Sequence, residues 1–545
     1  MARPGAPPVA LLDRAVPPVG HSRTPQPGRV RVKRKFYLTT AIDYVNSKPH
    51  LGTAYEKIAA DCLVRARRLA GDEVLFVMGN DEHSINVARR AEEEGLAPLA
   101  YCDRMGDEFR AAWKRLNISF DDFIRTTEPR HRSAVEEIIR RVRDRDHITT
   151  SRYKGWYCEG CEAFFTGKDL EDGVCPTHRK KARWVEEENY FFRLSHFRDR
   201  LLEHIREHPE FILPATRRNE VVSFLEAGLD DISISRAGES WGIPFPDDPG
   251  HTVYVWFDAL TNYLSAVGFG SDEERCEKWW PADVHLIGKD ITRFHCIIWP
   301  AMLMAAEVPL PRTVYAHGFI THSGEKMSKS LGNIVNPLDV VDITGADPLR
   351  YFLLREITFG KDGDFDWERF VSRYNADLAN DLGNLVKRTV DMTAKFLNGK
   401  IPRGAGGGTS LAEVATGATA KALACYESFD LSGALSAAWE LVRESNRTVQ
   451  ELRPWEIAKD PARGDELNAV LSDLLEAVRV VSVLASPAMP ERTGLIRERL
   501  GLAGDAAPGL VDTDWRAGSG WSVNPGDPVF PRIKKDESPA PPASP

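Results

Sequence analysis

The sequence is sparing with cysteine: eight in 545 residues, of which Cys62, Cys102, Cys276 and Cys425 stand alone in the chain. That scatter argues against a disulfide framework and for a reducing compartment, the cytoplasm. No run of eighteen apolar residues is present, so no membrane span is expected. The first 35 residues carry proline and arginine without an apolar stretch of signal-peptide length. They are acid-poor and basic, as an organelle transit peptide is, but their prolines oppose the amphipathic helix such a signal needs. Positive charge is not in excess either. A formal net charge of −9 disfavours a protein that coats DNA or RNA without selectivity, so any RNA contact must come from a local basic surface. No serine, histidine and aspartate arrangement suggests a nucleophilic triad.

What the chain does have is length and apolar content for several cores: 42% of its residues are hydrophobic, enough for three or more domains. From Phe36 to about His147, strand-like runs such as Val74-Leu75-Phe76-Val77-Met78 alternate with helical patterns such as Tyr55 to Leu69. This is the rhythm of a parallel α/β sheet, and it resumes near Val253. Between these halves lies an interruption of about ninety residues with its own cysteines, read as an insertion. After Asp366 the pattern is helical through Val483, broken by glycines at 404 to 408. The expected organisation is a disordered extension (1–35), the first half of a Rossmann-type domain (36–147), a connective insertion (148–235) and the second half (236–322). A loop and stem-contact region (323–366), a helical bundle (367–533) and a disordered tail (534–545) complete it.

Within the insertion, Cys158-x-x-Cys161 is followed after thirteen residues by Cys175-x-x-His178. Two short chelating turns at this spacing fit a structural zinc ion, with free surface thiols as the alternative. Four protein ligands would leave no open position for an activated water, so the ion would hold the insertion together and not catalyse.

Two further stretches concern phosphate. Lys326-Met327-Ser328-Lys329-Ser330, close to Gly324 and Gly332, places two lysines on a glycine-bounded loop. Their compact charges can follow negative charge onto a departing pyrophosphate, although alone the stretch also reads as a solvated basic loop. Far upstream, Pro49-His50-Leu51-Gly52-Thr53 lies between the strand-like run Phe36 to Ala41 and a helical pattern. Strand, tight turn and helix N-terminus together make an anion site.

The pair resembles the His-x-Gly-His and Lys-Met-Ser-Lys-Ser hallmarks of class I aminoacyl-tRNA synthetases, and the flanking residues narrow the likeness to the methionyl-tRNA synthetase family, over about Phe36 to Ile533. Two positions depart from the family pattern. Thr53 stands where the second histidine is usual, and Gly79-Asn80-Asp81-Glu82-His83-Ser84 stands where Gly-Thr-Asp-Glu-His-Gly is common. Thr53 retains one hydroxyl donor.

The resemblance implies methionine activation by ATP, in which the amino-acid carboxylate attacks the α-phosphate, followed by transfer to tRNA(Met). That work is positioning and charge stabilisation, so no side-chain nucleophile is needed. It implies catalytic roles for His50, Lys326 and Lys329, and ATP contacts from His50, Gly52, Thr53, Gly288, Asp290, Lys326, Met327, Ser328 and Lys329, with Mg²⁺ accompanying ATP and one structural Zn²⁺. It also implies a methionine slot from Ala41, Ile42, Tyr44, Trp256, Ala259, Leu260, Tyr263, Phe294 and His295, with Asp81 taking the ammonium and Arg236 nearby. From periodicity alone the same rings read as core packing.

Anticodon contacts are implied for Asn384 and Arg388, four apart on one helix face, and for the stacking ring Trp455, which also reads as an apolar anchor beside a proline-started helix. A monomer is expected, with no DNA or membrane partner. A pocket separates substrates that differ by one methylene by only about 1–3 kcal/mol, so homocysteine is the expected competitor. Two other readings stay open at this stage: another class I synthetase such as the cysteinyl enzyme, and an RNA-binding relative without activity.

Overall fold

The computed structural model describes residues 33–158, 163–165, 170, 172–176, 180–238, 240–327, 334–502 and 508–534. The calls made above on the terminal extension up to residue 32, the tail from 535, Cys161, His178, Ser328 and Lys329 fall outside these residues, and so does the Lys326 side chain.

A parallel sheet organises the first two-thirds of the chain. Strand β1 (Lys35–Thr40) lies at its centre, paired on one side with β3 (Glu73–Asp81) and on the other with Val284–Gly288. Beyond β3 lie β2 (Asp43–Tyr44) and β4 (Asp122–Arg125); beyond Val284–Gly288 lie Val314–His317 and then Ile212–Leu213. Side chains alternate between the two faces. Leu38, Phe76, Met78 and Leu286 enter the core that holds helix α1 (Leu51–Leu69), and Tyr37, Leu75, Val77 and Ile287 enter the opposite one. A central parallel strand buried on both faces reads as a nearly continuous apolar run, which is why these segments stood out in the sequence.

The strand order reverses at β1, so the carboxyl ends of β1, β3 and Val284–Gly288 open onto one crevice, where open α/β sheets bind ligands. The last residues of these strands are Thr40, Asp81 and Gly288.

The interruption is less separate than its length suggests. Ile148–Cys158, Ala163–Phe165, Arg183–Phe192 and Ile232–Ser233 form their own sheet. In contrast, Ile212–Leu213 returns to the edge of the parallel sheet, and Leu201, Ile205, Val221 and Leu225 from the flanking helices join its core. A two-residue edge strand carries too little periodicity to be legible in sequence.

From Trp367 the chain is mainly helical, with one short antiparallel pair, Lys400–Ile401 with Trp521–Ser522. Helices Leu411–Glu427, Leu431–Leu452 and Gly464–Ala485 share the core of α1 through residues such as Trp439, Leu474 and Val478. Arg350 fastens this region to the sheet. Fully buried, it donates to Asp61 on α1 (2.6 Å) and to the carbonyls of Leu116, Pro487 and Ala488. Among the described residues no helix is long and apolar enough to cross a membrane.

Candidate active site at the carboxyl ends of the strands

His50 is the N-cap of α1. Its Nδ1 accepts hydrogen bonds from the backbone N–H of Gly52 (3.0 Å) and Thr53 (3.3 Å), which fixes the neutral ring as the Nε2–H tautomer. Gly52 is needed for this fold-back, because a Cβ there would lie 3.0 Å from His50 Cε1. Thr53 closes the capping box: its Oγ1 accepts from His50 N–H (3.0 Å) and donates to His50 O (2.8 Å).

The N–H groups of the first turn also have partners: Leu51 N–H donates to Val335 O (3.1 Å), and those of Gly52 and Thr53 to His50 Nδ1.

Two more glycine contacts shape the crevice. A Cβ on Gly288 would meet Asp290 Oδ1 at 2.6 Å, so glycine lets that exposed carboxylate fold back over the strand end. Ser323 and Gly324, both at positive φ (52° and 81°), form the two-residue turn of the hairpin Ile320–His322 and Glu325–Lys326. The turn is tied down by Gly324 N–H donating to Asp364 Oδ1 (2.8 Å). This hairpin launches the lysine segment, and the chain returns at Val335 onto the first residue of α1.

The aromatic residues expected in the slot come together. Trp256 stacks on Phe294 with centroids 3.7 Å apart and meets the edges of Tyr44 (6.4 Å) and His295 (6.5 Å). Ala41 and Ile42 pack into the same core, while Ala259, Leu260 and Tyr263 are buried beneath. Trp256 Nε1 is buried with no acceptor among the described residues.

His295 donates from Nδ1 to Ile291 O (3.0 Å) and accepts at Nε2 from the Tyr263 hydroxyl (2.6 Å). Burial pushes its pKa down to about 4, so the slot floor is uncharged at neutral pH. Phe294–Ile298 is a π-helical turn, a distortion common at functional sites that sequence periodicity does not reveal. Asp81 is the direct neighbour of Tyr44 across the β2–β3 pair. Arg236 is buried over the ring of Tyr254 (4.3 Å) and donates to Ser233 Oγ and Ser235 O.

Sequence reasoning missed two buried ionic groups here. Asp258 bridges His83 (2.7 Å) and His131 (2.6 Å) two residues beyond Trp256; burial alone would raise its carboxyl, but the two imidazoles outweigh it and hold it below the usual range. Lys57 on α1 joins Asp43 and Glu56, and Glu56 reaches His317 (3.0 Å). The available signal was a Glu-Lys pair inside an otherwise apolar helical stretch.

In the helical region, Arg388 lies over the ring of Trp455 (5.7 Å), and Asn384 is exposed at the start of the same helix as Arg388. In the insertion, Cys158 ends its strand and Cys175 lies in a turn closed by Cys175 N–H to Lys180 O (2.9 Å) and by a bridge between Val174 and Lys181. Both thiols are buried and neither is in a disulfide.

A reversing parallel sheet with a capped histidine turn at one strand end and a lysine hairpin returning to it defines the class. The family model of class I tRNA synthetases (M) matches residues 36–183 and 166–390. A methionine–tRNA ligase from Caldanaerobacter subterraneus subsp. tengcongensis is 43% identical over 512 residues, covering 92% of this chain and 79% of its own. One from Synechocystis sp. is 45% identical over 486 residues, covering 86% and 90%. The solved structure of Mycobacterium tuberculosis methionyl-tRNA synthetase in complex with methionyl-adenylate aligns with a TM-score of 0.88 at 42% identity, covering 92% of this chain and all of that one. The chain belongs to the methionine–tRNA ligase family of class I tRNA synthetases.

Proposed function

We propose that the crevice at the strand ends activates L-methionine with ATP and that the same site then charges tRNA(Met). The chain is a methionine–tRNA ligase: it forms methionyl-adenylate and pyrophosphate, then esterifies the methionyl group to the 3′-terminal adenosine. One observation carries the site assignment. The segment that contains Lys326 and Lys329 returns to α1 at Leu51, the neighbour of His50, through the Leu51 N–H to Val335 O bond. That bond supports a reading in which two elements more than 270 residues apart in sequence serve one crevice.

In this reading His50 Nε2–H and the two lysine ammonium groups hold the triphosphate from opposite sides and stabilise charge as pyrophosphate leaves. Mg²⁺ bound with ATP supplies phosphate-charge neutralisation. Asp290 takes the ribose hydroxyls, Asp81 the amino-acid ammonium, and the Trp256–Phe294 stack with Tyr44 and Tyr263 the thioether. Asn384, Arg388 and Trp455 read unstacked anticodon bases by hydrogen bonding and stacking. Expansion of the insertion around Cys158, Cys161, Cys175 and His178 into a zinc knuckle is supported by the two buried, disulfide-free thiols and by the tight turn holding Cys175.

ATP–pyrophosphate exchange across an amino-acid panel tests the substrate. Methionine should drive exchange and cysteine should not; exchange driven by cysteine, or by no amino acid, would remove the assignment. Trp256→Ala should raise the methionine KM on the order of 30-fold, the equivalent of about 2 kcal/mol for a central aromatic anchor, with the ATP KM little changed. Unchanged methionine kinetics would take Trp256 out of the slot. Elemental analysis of protein purified without added metal should find about one equivalent of zinc, and a value well below half would discard the knuckle.

A further inference from the structure

The wall of the slot formed by residues 41–44 is held by few backbone bonds: at its start Ala41 N–H donates to Leu286 O (3.1 Å). Strand β2 is two residues long and pairs with β3 only at Asp43–Asn80 and Tyr44–Asp81. Yet Ala41, Ile42 and Tyr44 must keep their distance from Trp256 for the slot to have a shape.

The missing support comes from side chains behind the wall. Lys57 Nζ, 1% exposed, donates to Ala41 O (2.9 Å), to Asp43 Oδ1 (3.2 Å) and to Glu56 Oε1 (2.7 Å). These three partners match the three hydrogens of an ammonium group. Asn80, fully buried, adds a bond from Nδ2 to Asp43 O (3.3 Å). Glu56 in turn holds His317 at the end of the strand that leads into the lysine hairpin. His317 Nδ1 faces the Gly318 carbonyl (2.7 Å) and Nε2 faces the Glu56 carboxylate, so both ring nitrogens meet acceptors.

We propose that Lys57 is a positioning residue for methionine: buried behind the slot, it clamps the Ala41–Tyr44 wall to the helix whose N-cap is His50. This rests on the reading of the crevice as a methionine site and deepens it. Lys57 lies behind residues 41–44 and works on the substrate only through them.

The arrangement is costly unless complete, because an ammonium taken out of water is repaid only by well-placed carboxylates and carbonyls. Burial alone would lower the Lys57 pKa, but Asp43 and Glu56 outweigh it and raise it; burial in turn lifts Asp43 to about 6 despite the nearby ammonium. A charged group kept at this cost, when a methionine side chain would fill the same space, fits a demand for direction rather than for packing.

The test is exchange kinetics of the full-length protein with the charge-balanced pair Asp43→Asn/Lys57→Met, which leaves the Glu56–His317 contact in place. The methionine KM should rise roughly tenfold, the loss of about one charge-assisted hydrogen bond, while kcat and the ATP KM stay within about twofold. A loss of fold integrity would instead lower kcat for both substrates together. Asp43→Asn alone keeps Lys57 on Ala41 O and on Glu56, and should move the methionine KM in the same direction by less; it carries the test if the pair does not fold. An unchanged methionine KM in these variants, or a parallel fall for both substrates, overturns the clamp while leaving the substrate assignment intact. Absence of methionine-dependent exchange in the parent overturns both.

Discussion

Replacing His50 with alanine should lower kcat for methionine-dependent exchange by about 100- to 1000-fold, the usual cost of removing one donor aimed at developing charge. The proposed reading gives this residue two separable duties. Its Nδ1 caps α1 by accepting from Gly52 and Thr53, and in that reading its Nε2–H donates to the phosphates. Alanine removes both, with the cap worth about 1 kcal/mol of stability. His50→Asn separates them. An asparagine oxygen can accept from the same backbone groups and restore the cap, but its shorter side chain cannot carry a donor to the position of Nε2. The expected pattern is therefore near-parental thermal stability with activity as low as in the alanine variant. Recovery of exchange by His50→Asn would mean that the histidine acts through the helix cap alone, and the proposed phosphate contact would be withdrawn.

The second large effect is on stability. Arg350→Leu should cost about 3–5 kcal/mol, because it leaves the fully buried Asp61 carboxylate without its main partner and strips donors from three carbonyls. Burial would raise the Asp61 carboxyl, yet Arg350 and Arg65 hold it below the ordinary range, so the charge is present and must be compensated. Arg350→Lys should rescue little, since one ammonium cannot reproduce the fork that serves Asp61 and the Pro487 and Ala488 carbonyls together. Urea unfolding followed by both tryptophan fluorescence and far-ultraviolet circular dichroism is the appropriate measurement. A shift of the midpoint by less than the equivalent of 1 kcal/mol would show that other packing, not this ion pair, fastens the helical region to the sheet.

Much of this molecule was legible in one dimension. Strands such as Val74 to Met78 announced themselves because a parallel strand buried on both faces must be apolar throughout. The histidine turn and the lysine segment were visible because they match the hallmarks of the family to which the chain belongs. Gly52 and Gly288 were legible as glycines but not as to surroundings: a Cβ on either would crowd a neighbouring side chain, His50 or Asp290. The sequence offered Thr53 as a donor to ATP, and the structure spends its hydroxyl on the cap, because a hydroxyl three residues after an N-cap finds the cap's own backbone first.

The sequence by itself determined the alternation of strand and helix, the positions of the histidine and lysine motifs and the family, since these depend on residue type and local spacing. Tertiary structure alone decided that Ile212–Leu213 rejoins the main sheet, that Trp256 stacks on Phe294, and that Lys57 finds Ala41 and Asp43 while Arg350 finds Asp61. Those pairings join residues from 14 to 289 positions apart. No local pattern encodes them, because a buried charge selects its partner by where the fold delivers it, and the selection is enforced by the cost of leaving that charge alone.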